Sequence, residues 1–131
     1  MSYVSPEGAV YQAGTLSGNP AAMSAGIAQL KECLKPGFYE SQEKRTKIFV
    51  EKINSFAKSK SYNFELITIG SIFWISFNKE KIIKRADEVS SDMNMFRSLF
   101  WALIEEGVYI GPSGYEVGFI SQSHSRKILN K

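Results

Sequence analysis

Two short segments of this chain carry side chains whose type and spacing could do chemistry. The first is Tyr11-Gln12-Ala13-Gly14-Thr15-Leu16-Ser17-Gly18-Asn19-Pro20. Glycines let a backbone approach a ligand closely, and Thr15 and Ser17 supply short hydroxyl donors, so a turn built from these residues can hold an anion. The same composition also suits a plain turn leading into a helix, with its hydroxyls bonded to their own backbone. Asn19 before Pro20 reads as an N-cap followed by the first helical residue. Asn19 would then satisfy the first helix donors, and Pro20 has no N–H to offer. An anion would therefore meet the Thr15 hydroxyl and the turn amides rather than the helix mouth. The second segment runs from Gly107 to Phe119 and contains Glu116. On the sequence alone Glu116 is one acid beside a strand, and solvent exposure is its ordinary expectation.

Other reactive residue types are isolated. His124 is the sole histidine, in Ser121-Gln122-Ser123-His124-Ser125, and is expected to bond nearby backbone; nothing argues for a triad. Cys33 stands alone and reads as a small buried hydrophobe. No cluster has metal-ligand spacing. One cysteine forms no internal disulfide, which fits a reducing, cytoplasmic setting. The first residues show neither a basic stretch nor an apolar core of signal-peptide type. No apolar run suggests a membrane span. The net charge of +3 is mild, with basic residues spread among acids along Lys44–Lys60 and Lys79–Arg85. That is a solvated helix face, not the dense stripe of a nucleic-acid binder.

The elements that would position these residues follow from hydrophobic periodicity. The chain has 131 residues, 44% hydrophobic and 13% aromatic, which suits one domain with one core. Met23, Ile27, Leu30 and Leu34 share one face of a helix predicted from Pro20 to about Leu34, closed by Pro36-Gly37. A second helix is predicted over Phe38–Ser59, with Phe49, Ile53, Phe56 and Ala57 as its buried stripe. Phe64–Ile69 and Ile72–Phe77 read as strands of a hairpin about Gly70-Ser71. The second strand is apolar on both faces and so belongs at the centre of the sheet. Lys79–Glu88 suggests a short helix. Phe96, Leu99, Phe100 and Leu103 mark an amphipathic helix that Gly107 stops. Val108–Ile110 and Gly118–Ile120 read as short strands, and Ser125 caps a last helix from Arg126. The expected fold is α+β, a small antiparallel sheet covered by helices.

The wording of both segments adds to this reading. Tyr11–Pro20 resembles the phosphate-contacting turn of the glutamate-1-semialdehyde 2,1-aminomutase family, within the class III pyridoxal-phosphate aminotransferases. Gly107-Val108-Tyr109-Ile110-Gly111-Pro112-Ser113-Gly114-Tyr115-Glu116-Val117-Gly118-Phe119 resembles a second stretch of that family. Here Gly111 and Gly114 stand where alanine and glutamine are more frequent, a departure expected to loosen the turn. Gly70-Ser71-Ile72-Phe73 and Ser121–Ser125 match more weakly. The resemblance implies the small C-terminal domain of a fold-type-I enzyme. Residues 1–34 would be the end of the large-domain region with a connecting helix, and 35–131 the small domain. It implies that Gly14 and Thr15 contact the phosphate of pyridoxal 5'-phosphate in the other subunit of a homodimer. It implies that Glu116 faces the amino groups of glutamate-1-semialdehyde, where related transaminases carry an arginine for a carboxylate. The family's cofactor-linked lysine lies about 30 residues ahead of the turn. Here ten residues precede Tyr11 and none is lysine. The expectation is therefore a C-terminal fragment, inactive by itself, of an enzyme that makes 5-aminolevulinate for tetrapyrrole synthesis. An apolar patch is expected where the large domain would sit. The alternatives are a piece of another class III aminotransferase and a free-standing α+β binding or dimerisation module.

Overall fold

The computed structural model describes residues 1–78, 83–89 and 93–130. The chain falls into two compact units, Met1–Phe38 and Tyr39–Lys131.

The first unit holds one helix, α1 (Pro20–Cys33). Its start is as the sequence dictates: the Asn19 side chain accepts from the N–H groups of Ala21 and Ala22, both at 3.1 Å, and Pro20 occupies the first position. The predicted apolar face forms on this helix. Met23, Ile27, Leu30 and Leu34 are all more than half exposed. Cys33 is half-buried rather than buried. Spacing identifies an apolar stripe; what covers it is a matter of tertiary contacts.

The second unit is built around α2 (Phe38–Ser59). Its inward stripe is Gln42, Thr46, Val50 and Ala57, all buried, with Phe49 and Ile53 half-buried. Phe56, expected in that stripe, is 53% exposed and packs edge-on to Tyr62 instead. The stripe is more polar than its periodicity suggests, because Thr46 returns its hydroxyl to the Gln42 carbonyl at 2.9 Å and so needs no outside partner. On the outer face Glu43 and Lys47 form an i,i+4 pair at 2.6 Å. That hydrogen bond, and the charge behind it, holds the ammonium above the usual lysine range.

Strands β1 (Glu65–Ile69) and β2 (Ile72–Ser76) pair antiparallel, with Leu66 opposite Ile75 and Ile69 opposite Ile72. Gly70 opens the two-residue turn between them at φ 57°, a conformation a side chain would strain. β3 (Gly118–Phe119) adds to the other edge, Phe73 opposite Gly118. The order β1-β2-β3 places β2 at the centre, as its two-sided apolarity predicts. Phe49 of α2 stacks tilted on Phe73 at 5.7 Å. The same Phe73 ring lies over Gly118, where a Cβ would fall inside it.

The free edge of β1 is closed by a side chain. Asn54 of α2 donates to the Leu66 carbonyl at 2.9 Å and accepts from the Leu66 N–H at 2.7 Å. One amide thus imitates the next strand and blunts an edge open to foreign pairing.

α3 (Asn94–Glu105) follows, with Phe96 buried, and ends at Gly107. Of the helix expected over Lys79–Glu88, residues 79–82 lie outside the described residues; a 3-10 turn spans Ala86–Glu88. Val108–Ile110 is not a strand: it is irregular, anchored by Val108 N–H to the Leu103 carbonyl at 2.7 Å. That bond caps α3, and a β-branched run at a helix end is read as a strand only until the cap is known. α4 (Arg126–Leu129) starts at Ser125, whose hydroxyl accepts from Ile128 N–H at 3.4 Å. Among the described residues no helix is long and apolar enough to cross a membrane.

Two outcomes follow. Asn54→Ala leaves both backbone groups of Leu66 unpaired and should destabilise the second unit by about 1–3 kcal/mol in denaturant melts. Asn19→Ala should cost α1 about 1 kcal/mol, read as faster hydrogen exchange at the Ala21 and Ala22 amides.

Candidate cofactor-turn and substrate-facing residues

The first candidate segment is a double turn. Ser17 N–H donates to the Gly14 carbonyl at 2.9 Å, and Asn19 N–H to the Leu16 carbonyl at 3.0 Å. Gly18 closes the second turn at φ 73°. A Cβ at Gly14 would stand 2.5 Å from the Ser17 hydroxyl oxygen, a contact that rotation of the Ser17 side chain relieves. Both helix donors at the mouth of α1 are taken by Asn19. The Thr15 side chain is exposed. Among the described residues neither its hydroxyl nor the N–H groups of Thr15 and Leu16 bond any other group. Donors that are free, exposed and held in a tight turn suit a phosphate group.

The second candidate segment lies in the other unit. Glu116 is exposed, as its sequence context predicts. Its N–H donates to the Ser113 carbonyl at 3.0 Å, and Tyr115 N–H donates to the Ser113 hydroxyl at 3.3 Å, so Ser113–Glu116 is a closed turn. Its carboxylate folds back onto the backbone of Gly111, with Oε2 occupying the place a side chain would take. No acid or base among the described residues pairs with it.

The glycines make room in this turn. Gly114 is buried, and a Cβ there would meet Met93 Sδ at 2.6 Å and Phe96 Cγ at 3.2 Å. Its carbonyl accepts from Trp74 Nε1 at 2.8 Å. Absence of a side chain lets two larger ones close on the backbone. Beside the turn, Met93, Phe96, Phe100, Trp101 and Pro112 line an open apolar cleft of about 360 Å3.

His124 bonds nearby backbone as expected. Its Nδ1 accepts from Ser121 N–H at 2.9 Å. Ser71 offers its carbonyl to Ile120 N–H at 2.9 Å. Arg45 was not singled out by its sequence context. One of its terminal nitrogens donates to the carbonyls of Gln122 at 2.9 Å and His124 at 3.2 Å, tying the segment after β3 to α2. Trp74 was legible only as an apolar strand residue, although an indole N–H in a half-buried place always needs a partner. Among the described residues no group of three histidine, cysteine or acidic side chains could hold a metal.

No family model matches the chain. It is 41% identical, over all 131 residues, to the glutamate-1-semialdehyde 2,1-aminomutase of Akkermansia muciniphila. It is 41% identical over 133 residues to that of Francisella tularensis subsp. holarctica. In each case the chain spans 31% of the relative's length. Among solved structures, a β-phenylalanine aminotransferase from Variovorax paradoxus superposes with a TM-score of 0.76 at 20% identity, over 94% of this chain and 28% of that one. A transaminase with PLP bound superposes at 0.71 and 23% identity, over 95% and 27%. These two likenesses establish the fold. The chain is thus related, along its entire length, to a third-length part of glutamate-1-semialdehyde 2,1-aminomutases, on a fold shared with transaminases.

Proposed function

We propose that this chain serves as the C-terminal portion of a glutamate-1-semialdehyde 2,1-aminomutase dependent on pyridoxal 5'-phosphate. The observation that carries the reading is 41% identity kept over the whole chain. In this role residues 1–34 belong with the large, cofactor-binding part, and residues 35–131 form the small domain. The enzyme moves an amino group within glutamate-1-semialdehyde to give 5-aminolevulinate, for tetrapyrrole synthesis in the cytoplasm. The cofactor, when bound, supplies an electron sink.

The chain's own residues position and discriminate. The Thr15 hydroxyl and the Gly14–Leu16 backbone donate to the cofactor phosphate of the partner subunit in a homodimer. The free donors of that turn support this role, because a phosphate needs donors that no other group has claimed. Glu116 meets the ammonium groups of the substrate. A free carboxylate suits a diamine, whereas a second carboxylate calls for arginine. The open apolar face of α1 supports a missing neighbour, since a stripe of four large apolar side chains in water is costly unless something covers it.

The chain alone is expected to convert no glutamate-1-semialdehyde, because its first lysine, Lys31, comes after the turn. Assembled with a lysine-bearing cofactor part, it should restore activity. Thr15→Ala should then weaken pyridoxal-phosphate binding about ten- to a hundredfold, the loss of a hydrogen bond to a charged group worth roughly 1.5–3 kcal/mol. Equilibrium dialysis of the cofactor reads this directly. Glu116→Gln should lower kcat/KM for glutamate-1-semialdehyde and leave cofactor binding alone. Efficient net transamination with 2-oxoglutarate by the assembled enzyme would instead favour another class III aminotransferase.

A further inference from the structure

We propose that the side of the sheet turned away from α2 is the surface on which the lysine-bearing cofactor part of the enzyme sits. The inference rests on the reading given under the proposed function and adds the place of contact to it.

Alternation sorts the strand residues into two faces. Phe73 packs on Phe49 of α2, and its register partners Thr68 and Gly118 share that side. Ile67, Ile69, Ile72 and Phe119 therefore stand on the other. Ile69 is opposite Ile72, and Ile72 opposite Phe119, so three large apolar side chains form a row across all three strands. Ile69 is 78% exposed, Phe119 62% and Ile67 39%. An antiparallel sheet that keeps one face in water carries polar residues there. Single exposed apolar side chains are ordinary on a protein surface, but a row of them opposite the core marks an interaction surface. Towards the other end of the strands the chain covers this side itself. Trp74 stands there and gives its N–H to the Gly114 carbonyl at 2.8 Å.

Two observations name the occupant. This chain spans 31% of the length of its aminomutase relatives, so the larger part of such an enzyme remains to supply a cover. The second is the place of Glu116, whose turn leads into β3 three residues before Phe119. Three extended residues reach at most about 10 Å, and neighbouring strands lie about 5 Å apart. A cofactor part that holds substrate against Glu116 therefore comes within about 10 Å of Phe119, with Ile72 and Ile69 on the adjoining strands. Settling on that row takes the exposed side chains out of water at the same time, and each one buried favours the docked arrangement. The row carries no charge, so the matching surface of the cofactor part is apolar.

The test compares the chain alone with a fusion in which it replaces the matching 31% of the Akkermansia muciniphila enzyme. Cysteines are placed one at a time by Ile69→Cys and Phe119→Cys. Ile48→Cys serves as the control, since Ile48 is 58% exposed on α2, across the sheet. Maleimide labelling is followed peptide by peptide by mass spectrometry. In the chain alone all three sites should label at similar rates. In the fusion, positions 69 and 119 should label at least tenfold more slowly and position 48 as before. Unchanged rates at 69 and 119 in the folded fusion would overturn the proposal. So would protection of both in the chain alone within a dimer seen by sedimentation, which makes a second copy the occupant. Should the fusion fail to fold, the chain still decides. Ile69→Thr with Phe119→Thr should leave its unfolding midpoint where it was, and a clear fall would place both residues in the chain's own core and sink the idea. A fusion that protects both sites yet converts no glutamate-1-semialdehyde defeats the functional reading and leaves the surface standing; an active fusion with both sites open does the reverse.

Discussion

One helix face holds the second unit together. Side chains of α2 reach β1, β2 and the segment that follows β3. Asn54 closes the edge of β1, Phe49 packs on Phe73 of β2, and Gln42 approaches the Ile120 carbonyl just after β3. Arg45 and Lys52 extend the same service to the 121–124 segment and to Asn130. Among the described residues the buried apolar side chains are few: Val50, Ala57, Leu66, Phe96 and Ile120. With so thin a core, directional bonds from α2 carry much of the specificity that close packing supplies in larger domains.

From that frame the turn before β3 inherits its position. β2 is central because it pairs on both sides, and Trp74 projects from it to the Gly114 carbonyl. α3 contributes Phe96 from behind. The route from buried stripe to sheet, from sheet to indole, and from indole to turn is a chain of packed or hydrogen-bonded contacts with no slack link. An exposed acid at the end of such a route has a defined backbone even though its carboxylate stands in water. The first unit works differently. Its turn is closed by local bonds among Gly14, Leu16, Ser17 and Asn19, and Asn19 also caps the helix mouth.

Much of this was legible in the residue order. Asn19-Pro20 specifies a capped start, Gly70-Ser71 a hairpin, and the double apolarity of Ile72–Phe77 a central strand, because each rests on backbone chemistry or alternation within a few residues. The same holds for Gly107 as a stop and Ser125 as a cap. The reading of Val108–Ile110 as a strand failed for the opposite reason. Its β-branched residues fit a strand, but among the described residues no strand pairs with them, and a helix-capping bond takes the Val108 N–H.

The sequence by itself determined the elements, the local turns and the two segments worth inspecting, since those depend on side-chain type, φ preference and spacing along the chain. Only the tertiary structure decided which apolar stripes are covered. Thus Phe56 turns outward, Met23, Ile27, Leu30 and Leu34 of α1 stand open, and Trp74 spends its N–H on a carbonyl forty residues away. It also reversed the meaning of Gly111 and Gly114. Read along the chain they are flexible positions; folded, they are places where a carboxylate, an aromatic ring and a thioether lie against the backbone. The physical reason is that periodicity records what a segment could bury, while burial itself belongs to pairs of surfaces that meet only in the fold.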